Sequence, residues 1–212
     1  MFLITRPSHD VTTHYISAWS KEIIDFATTK NKKVIDLSNE KAVKSTVLSF
    51  FKKMPIKLVM FNGHGDESTI MGHNNQPIIS SPENVGLLKS KIVYCRSCRS
   101  AQKLGPDSII SGATAFIGYD DDFIFLYDDQ HASRPLNDTI AGKFLKPTNT
   151  LLFSLLKGNS VDVSYKRSQE EYNKHIEELL ASDSTAEDMS SLRFLLWDKQ
   201  HQIYHGDGQA TY

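Results

Sequence analysis

Short apolar runs alternate with helical patterns through the first half of the chain. Between the first two runs, apolar residues recur every three or four positions from Tyr15 to Ala27, which is typical of an amphipathic helix. A second helical face, Val43 to Phe51, follows the second run and ends before Pro55. The runs themselves predict five strands: Phe2–Thr5, Val34–Leu37, Lys57–Phe61, Lys91–Cys95 and Gly112–Tyr119.

Turn-forming residues define the segments between the later strands. Residues 62–81 are rich in Gly, Asn, Ser and Pro, so they are predicted to form a loop. Pro82–Lys89 is predicted as a short helix, because proline fits well in a first helical turn. Another helix is expected to begin at Ser100–Leu104 and to stop at Gly105-Pro106.

The second half of the chain has a mainly helical pattern. Two short helices are expected on either side of Pro147, and Ser182–Thr185 is expected to separate the two helices that follow. A last short strand is predicted at Gln202–Tyr204. The four expected helices are Leu136–Leu145, Thr148–Lys157, Val161–Ala181 and Ala186–Trp197.

The regular alternation of strands and helices favours an α/β fold. It predicts an open, mostly parallel sheet with helices on both faces, followed by a helical C-terminal part. Ligands in such sheets bind beyond the carboxyl ends of the strands. The 212 residues are enough for one domain, 1–212, with its own apolar core.

Composition and charge exclude several classes of protein. With 40% hydrophobic and 23% charged residues, the chain is typical of globular proteins. Its net charge of −1 and the lack of a long basic block argue against binding to nucleic acid or to an anionic membrane. No apolar run is long enough for a bilayer, and no signal peptide is visible. We therefore expect a cytoplasmic protein.

Reactive side chains follow two predicted strands that are consecutive along the chain. The third strand runs into Asn62-Gly63-His64-Gly65, and the fourth runs through Cys95 to Ser97-Cys98. Parallel strands place their carboxyl ends on one rim, so an imidazole and a thiol are expected to meet there, as a cysteine nucleophile requires. A helix that starts after Cys98 would stabilise its thiolate, and His64 would transfer the proton. The Gly65 and Cys98 N–H groups are candidate oxyanion donors.

Three segments resemble the caspase-fold cysteine peptidases of clan CD, and most closely their CHAT and gingipain-like branch. The segments are Phe61–Gly65, Ser97–Ala101 and Gly112–Gly118, with weaker likenesses at Leu155–Ser160 and His205–Asp207. The resemblance implies a three-layer α/β/α sandwich with core strand order 2-1-3-4. It also implies a cysteine endopeptidase that uses a Cys98–His64 dyad, an acyl-thioester intermediate and no cofactor. Gly65 takes the place of the family's oxyanion donor.

The sequence departs from the caspases proper. Caspases carry Gln-Ala-Cys-Arg/Gln-Gly and place the histidine about 50 residues before the cysteine. Here the spacing from His64 to Cys98 is shorter, and the cysteine lies in Arg96-Ser97-Cys98-Arg99-Ser100. Caspase specificity is therefore not implied.

Two charged groups near the predicted rim give opposite indications of specificity. Asp120, Asp121 and Asp122 directly follow the fifth strand and would favour Arg or Lys at P1. Arg96, two positions before Cys98, would favour an acidic P1 residue instead. We expect a weak preference for a basic P1 residue. Asp10 follows the first strand and is a candidate both for substrate binding and for a helix cap.

Other interpretations of the same residues remain open. Cys95 lies within its strand and is the weaker candidate nucleophile, and Cys95 and Cys98 also form a C-x-x-C pair that a thiol redox protein would use. Two cysteines without a second pair argue against a zinc site, and a site made of His64, Asp66 and His73 lacks a fourth ligand, so no metal is expected. The main alternative is a non-catalytic, caspase-like module that binds a partner protein. A peptidase would bind a peptide or protein substrate and have an activating or inhibitory partner, with segments 66–81 and 120–135 as candidate blocking loops.

Overall fold

The computed structural model describes residues 1–181 and 186–212. These residues form eight strands and six α-helices. The strands are β1 (Phe2–Arg6), β2 (Val34–Ser38), β3 (Leu58–Asn62), β4 (Thr69–Met71), β5 (Pro77–Ser80), β6 (Ile92–Arg96), β7 (Ala115–Tyr119) and β8 (Gln202–Gly206). The helices are α1 (Val11–Thr29), α2 (Lys44–Lys53), α3 (Leu104–Ile110), α4 (Thr139–Leu156), α5 (Val161–Ala181) and α6 (Ala186–His201).

Six of the strands form one sheet in the order β2-β1-β3-β6-β7-β8. The first five are parallel, and β8 joins the edge antiparallel to β7. The strands β3 and β6 occupy the middle of the sheet and are buried along their whole length. The prediction of a mixed α/β protein with a mostly parallel sheet is confirmed.

Alternate side chains of the central strands pack into cores on the two faces of the sheet. Val59 and Cys95 point to the face that packs with α2, α3 and the small β4–β5 sheet. Met60 and Tyr94 point to the opposite face, against α1 and α4. The near-continuous apolar sequence of these strands follows from this burial on both faces. A third cluster, rich in aromatic residues, joins α1 and α4 to α5 and α6.

The first helix begins where the sequence favours a cap. The Asp10 side chain accepts a hydrogen bond from Thr13 N, and the Thr13 hydroxyl closes a capping box with the Asp10 backbone. Asp10 therefore occupies a fixed position just beyond the end of β1.

Several predicted boundaries are wrong. The predicted loop 62–81 contains the antiparallel pair β4–β5, and Pro82–Lys89 forms only a 3₁₀ turn at Val85–Leu88. The two helices expected around Pro147 are one helix, α4. The helix Val161–Ala181 is confirmed, and α6 extends the predicted Ala186–Trp197 helix to His201. The predicted break at Ser182–Thr185 lies outside the described residues.

The described helices include none that is long and apolar enough to cross a membrane.

Candidate active site

The two candidate catalytic residues follow the two central strands of the sheet. Asn62, the last residue of β3, pairs in register with Arg96, the last residue of β6. His64 and Cys98 each lie two positions beyond these partners, at the carboxyl ends of adjacent parallel strands. The chain segments also touch beyond the strands, because a Cβ placed on Gly65 would lie 3.0 Å from Cβ of Ser97.

His64 is held by a carboxylate from the neighbouring strand end. Its Nε2 lies 2.8 Å from Oδ2 of Asp10. Burial acts to raise the pKa of Asp10, but the hydrogen bonds from Thr13 and His64 outweigh it, so this pKa lies below its usual value. A carboxylate only accepts hydrogen bonds, so Nε2 donates to Asp10, and Nδ1 is the ring nitrogen that this contact leaves available. Asp10 thus caps α1 and fixes the tautomer of His64.

The Cys98 thiol is partly covered by the segment that follows β7. Its Sγ lies 3.8 Å from the backbone oxygen of Phe123. Burial raises the pKa of this thiol, and the charge of Asp122 acts in the same direction. Within the described residues, no hydrogen bond joins Cys98 to His64. The cysteine is therefore a neutral thiol in this conformation.

The backbone amides of Gly65 and Cys98 are suited to bind an oxyanion. Neither N–H donates a hydrogen bond to an acceptor among the described residues. A side chain at position 65 would also collide with the backbone, because its Cβ would lie 2.9 Å from the Thr69 oxygen. Glycine at this position lets the chain that carries the amide pass close to Thr69 and Ser97.

The prediction that a helix N-terminus stabilises the Cys98 thiolate is wrong. The helix predicted to start at Ser100 starts at Leu104 and includes Gly105-Pro106, so a stretch of turns separates Cys98 from α3. The helix dipole acts only within about one turn, so it does not reach the Cys98 sulfur. This agrees with the raised pKa of the thiol.

Cys95 lies in the core rather than on the rim. It is 0% exposed, and burial raises the pKa of its thiol well above the usual value. Reactive redox thiols are accessible and have lowered pKa values, so this placement does not fit a C-x-x-C redox pair. Both cysteines are free.

Arg96 is also a core residue, so the expectation that it lines a substrate pocket needs correction. It is 0% exposed, and burial lowers the pKa of its guanidinium. Every nitrogen of the guanidinium donates to a neutral acceptor within the protein, which leaves no exposed surface for a substrate. The acceptors are the Asn62 side chain on β3, the Ile16 oxygen and Ser20 on α1, and Thr148 and Asn149 on α4.

The three consecutive aspartates directly follow β7, and two of them already pair with a histidine or an arginine. Asp120 Oδ1 lies 2.7 Å from Nδ1 of His201, and Asp122 Oδ1 lies 3.0 Å from Nε of Arg99. Arg99 N also donates to the Asp121 oxygen, which ties the acidic run to the residue after the cysteine. Within the described residues, only the Asp121 side chain has no cationic partner.

We define residues 120–125 as the cover segment, because the backbone oxygen of Phe123 in this run contacts the Cys98 sulfur. Helix α6 holds this segment through several hydrogen bonds. Trp197 Nε1 donates to the Asp122 oxygen, and Ile124 N donates to Oδ1 of Asp198. Asp198 is 0% exposed, and burial raises the pKa of its carboxyl group well above the usual value.

Phe123 and Phe125 belong to the aromatic core and form no regular strand.

Sequence reasoning missed Asp198 and the role of Asp10 toward His64. Asp198 lies within an ordinary helical pattern, so the sequence contains no local sign of its burial. The sequence does indicate that Asp10 lies near His64, because Asp10 follows a strand that ends on the same rim. The metal ligands considered at first are not grouped: Asp66 accepts hydrogen bonds from Ser68, and the His73 ring packs against His9.

Comparison with known proteins supports the fold. No protein family and no curated protein matches the sequence. Among solved structures, the Arg-specific cysteine proteinase gingipain R matches with a TM-score of 0.59 at 13% identity, covering 99% of this chain and 46% of that chain. A complex of the pro- and mature domains of the Porphyromonas gingivalis protein RgpB matches with a TM-score of 0.58 at 11% identity, covering 98% and 47%.

The chain therefore shares the fold of gingipain R. It spans slightly less than half the length of these two structures.

Proposed function

We propose that this protein is a cysteine endopeptidase that hydrolyses protein substrates with a Cys98–His64 dyad. The observation that carries the proposal is the placement of His64-Gly65 and Ser97-Cys98 beyond register partners on the central strands of a gingipain-like fold. Fold similarity alone does not determine activity. The support comes from an imidazole, a thiol and two unpaired amides at one rim.

Each residue has a defined role in the proposed reaction. Nδ1 of His64 takes the thiol proton, and the Cys98 thiolate attacks the peptide carbonyl carbon. The amides of Gly65 and Cys98 stabilise the oxyanion. The C–N bond then breaks as the imidazolium protonates the leaving amine, which gives a thioester. Water, deprotonated by His64, hydrolyses the thioester and regenerates the thiol.

Asp10 keeps His64 in the productive tautomer. Because its carboxylate holds the Nε2 proton, the lone pair of Nδ1 faces away from Asp10 and is available to the thiol. Asp10 is thus a positioning residue in this proposal and not a substrate contact.

The proposed specificity is a weak preference for Arg or Lys at P1. Asp121, whose carboxylate has no cationic partner within the described residues, is the principal candidate to bind the P1 cation, with Asp120 and Asp122 beside it. The structural neighbour gingipain R is an Arg-specific cysteine proteinase, which agrees with this choice. We also propose a cytoplasmic location, because two free thiols fit a reducing compartment.

A specific observation favours a second candidate function, a non-catalytic module that binds a partner protein. The Cys98 sulfur is covered, its thiol pKa is raised, and among the described residues His64 forms no hydrogen bond to it. The peptidase proposal accounts for this as a resting conformation that a partner or substrate opens.

Cleavage of fluorogenic peptides tests the proposal. Peptides ending in Arg, Lys or Asp should be assayed with the wild-type protein and with Cys98→Ala, His64→Ala and Cys95→Ala. We expect cleavage after Arg or Lys that falls by at least about 10³-fold in the first two variants. Cys95→Ala is the matched control, since it removes a thiol three positions away without touching the rim.

Labelling by a peptidyl chloromethyl ketone separates the two candidate functions. If the protein is a peptidase, the ketone alkylates Cys98 in the wild-type protein and not in His64→Ala. If no peptide is cleaved and Cys98 stays unlabelled even after limited proteolysis of the cover segment, the peptidase proposal is wrong and the binding module is favoured.

A further inference from the structure

Three potential metal ligands meet at the histidine end of the rim. His9, Asp10 and His64 each offer one ligand atom, and these atoms all lie within 4.8 Å of one another. Oδ2 of Asp10 lies 2.8 Å from Nε2 of His64 and 3.5 Å from Nε2 of His9. Zinc with bonds of about 2.0–2.1 Å spaces tetrahedral ligands by roughly 3.3 Å. Small side-chain shifts therefore suffice to place one ion among all three.

His9 has no part in the proposed peptidase mechanism, yet its ring is held in this cluster. The side chain is only 10% exposed, and its Nδ1 is buried with no hydrogen-bond partner. The ring packs edge-on against those of His64 and His73, at centroid distances of 6.2 and 5.7 Å. The nitrogen of His9 that faces Asp10 is Nε2, which also lies 3.0 Å from Oδ1 of Asn75, so a bound metal replaces this hydrogen bond.

We propose that His9, Asp10 and His64 form a binding site for Zn²⁺ or a similar divalent transition metal. Imidazole and carboxylate ligands suit zinc, and three protein ligands leave a fourth position for water. The N-terminus of α1 next to Asp10 opposes a cation, so the binding energy comes from the ligand bonds and the carboxylate charge. The site departs from the expectation, based on cysteine count, that the protein binds no metal.

Occupation of this site inhibits the dyad, an effect that rests on the proposed peptidase function. A metal on Nε2 of His64 displaces the proton that Asp10 holds there. The neutral imidazole then carries its proton on Nδ1, the nitrogen that must accept the thiol proton. Zinc thus acts as a reversible inhibitor by fixing the wrong tautomer, without a bond to the Cys98 sulfur.

Metal titration tests the site independently of activity. Zn²⁺ is titrated calorimetrically into the Cys98→Ala variant, and Co²⁺ is used as a visible-absorption probe of the same site. We expect one ion per chain, bound at least about tenfold more weakly when His9→Ala is added. His14→Ala is the matched control, because His14 is an exposed histidine of α1 that bonds to Ser8 and lies outside the cluster.

The outcomes separate the two proposals. The metal-site proposal is wrong if His9→Ala leaves the zinc affinity unchanged or if no variant binds zinc. It is also wrong if the wild-type protein binds zinc and Cys98→Ala does not. Peptide cleavage is then followed with and without Zn²⁺, each variant relative to its own zinc-free rate. Inhibition that is weakened about tenfold or more by His9→Ala supports the regulatory role, and equal inhibition overturns it. If the protein binds zinc but cleaves no peptide, the metal-site proposal stands and the peptidase proposal is wrong.

Discussion

The histidine side and the cysteine side of the rim are prepared differently. His64 is about one-third exposed and is bonded to an aspartate whose pKa is lowered. Cys98 lies under the cover segment, which is fastened by an aspartate whose pKa is strongly raised. The Asp10 carboxylate is ionised and orients His64, whereas the Asp198 carboxyl group is buried and holds the cover segment in place. The His64 side of the rim is therefore oriented by an ionised carboxylate, whereas the Cys98 side is covered by a segment that a buried carboxyl group holds.

The largest expected effect comes from Arg96, which supports both sides. Replacing Arg96 with Ala removes five buried hydrogen bonds and with them the tie between β6, α1 and α4. We expect the free energy of unfolding to fall by about 3–5 kcal/mol, measured by urea denaturation. Arg99→Ala, which removes an exposed ion pair, should cost less than about 1 kcal/mol. Similar losses in the two variants would contradict the structural role of Arg96.

Asp10→Asn tests the histidine side alone. Asparagine caps a helix as well as aspartate does, so α1 should remain stable. The amide no longer holds the Nε2 proton as a carboxylate does, so we expect kcat to fall by at least about tenfold. The measurement is kcat and KM with the peptide substrate, where a mere structural defect would lower the melting temperature as well. An unchanged kcat would show that Asp10 does not position His64.

Asp198→Asn tests the carboxyl group beneath the cover segment. Its raised pKa means that folding stability is greatest below the unfolded value of about 3.9 and falls as the pH rises toward the native value. Asparagine keeps an oxygen for Ile124 N and cannot ionise. We expect the variant to be more stable at pH 7 by on the order of 1–2 kcal/mol, or roughly 2–8 °C in melting temperature.

The comparison of pH values provides the control for Asp198. At pH 4 the gain in melting temperature should be much smaller, because the wild-type carboxyl group is then protonated in a larger share of unfolded chains. A gain that does not change with pH would point to packing rather than to ionisation.

The smallest expected effect concerns the charge next to the thiol. Asp122 raises the pKa of Cys98, and it also neutralises Arg99 at 3.0 Å. Asp122→Asn should lower this pKa and speed the alkylation of Cys98 by iodoacetamide at pH 7 by about two- to fivefold. The matched control is Asp121→Asn, which removes the neighbouring negative charge but leaves Asp122, a main cause of the raised pKa, in place. Equal acceleration in both variants would indicate general loosening of the cover segment.

Local sequence pattern was enough to predict the parallel strands, and the Asp10 cap followed from residue type. The pattern failed where tertiary contacts override local preference. Pro147 normally ends a helix, yet α4 continues through it while packed against α1, α5 and the sheet. The β4–β5 pair was missed because turn-forming residues separate Ile70 from Ile78 and Ile79.

The candidate site was predictable only in part. Consecutive strands ending in His64 and Cys98 indicate a shared rim from sequence alone. By contrast, the burial of Arg96 depends on Thr148 and Asn149, which come from a helix far along the chain. A charged residue next to a cysteine is normally read as a surface group, and no local pattern shows that neutral partners will enclose it. The hydrogen bond from Ile124 N to Asp198 was not predictable for the same reason, because its two residues lie far apart in the sequence.

The central position of β3 and β6 has a consequence for the lifetime of the site. Amides in the middle of a six-stranded sheet exchange with solvent through global unfolding, whereas edge strands and loops open locally. The separation between the two chain positions that carry His64 and Cys98 therefore lasts as long as the native fold does. The spacing depends on the paired central strands and not on the cover segment, so a change confined to residues 120–125 would leave it intact.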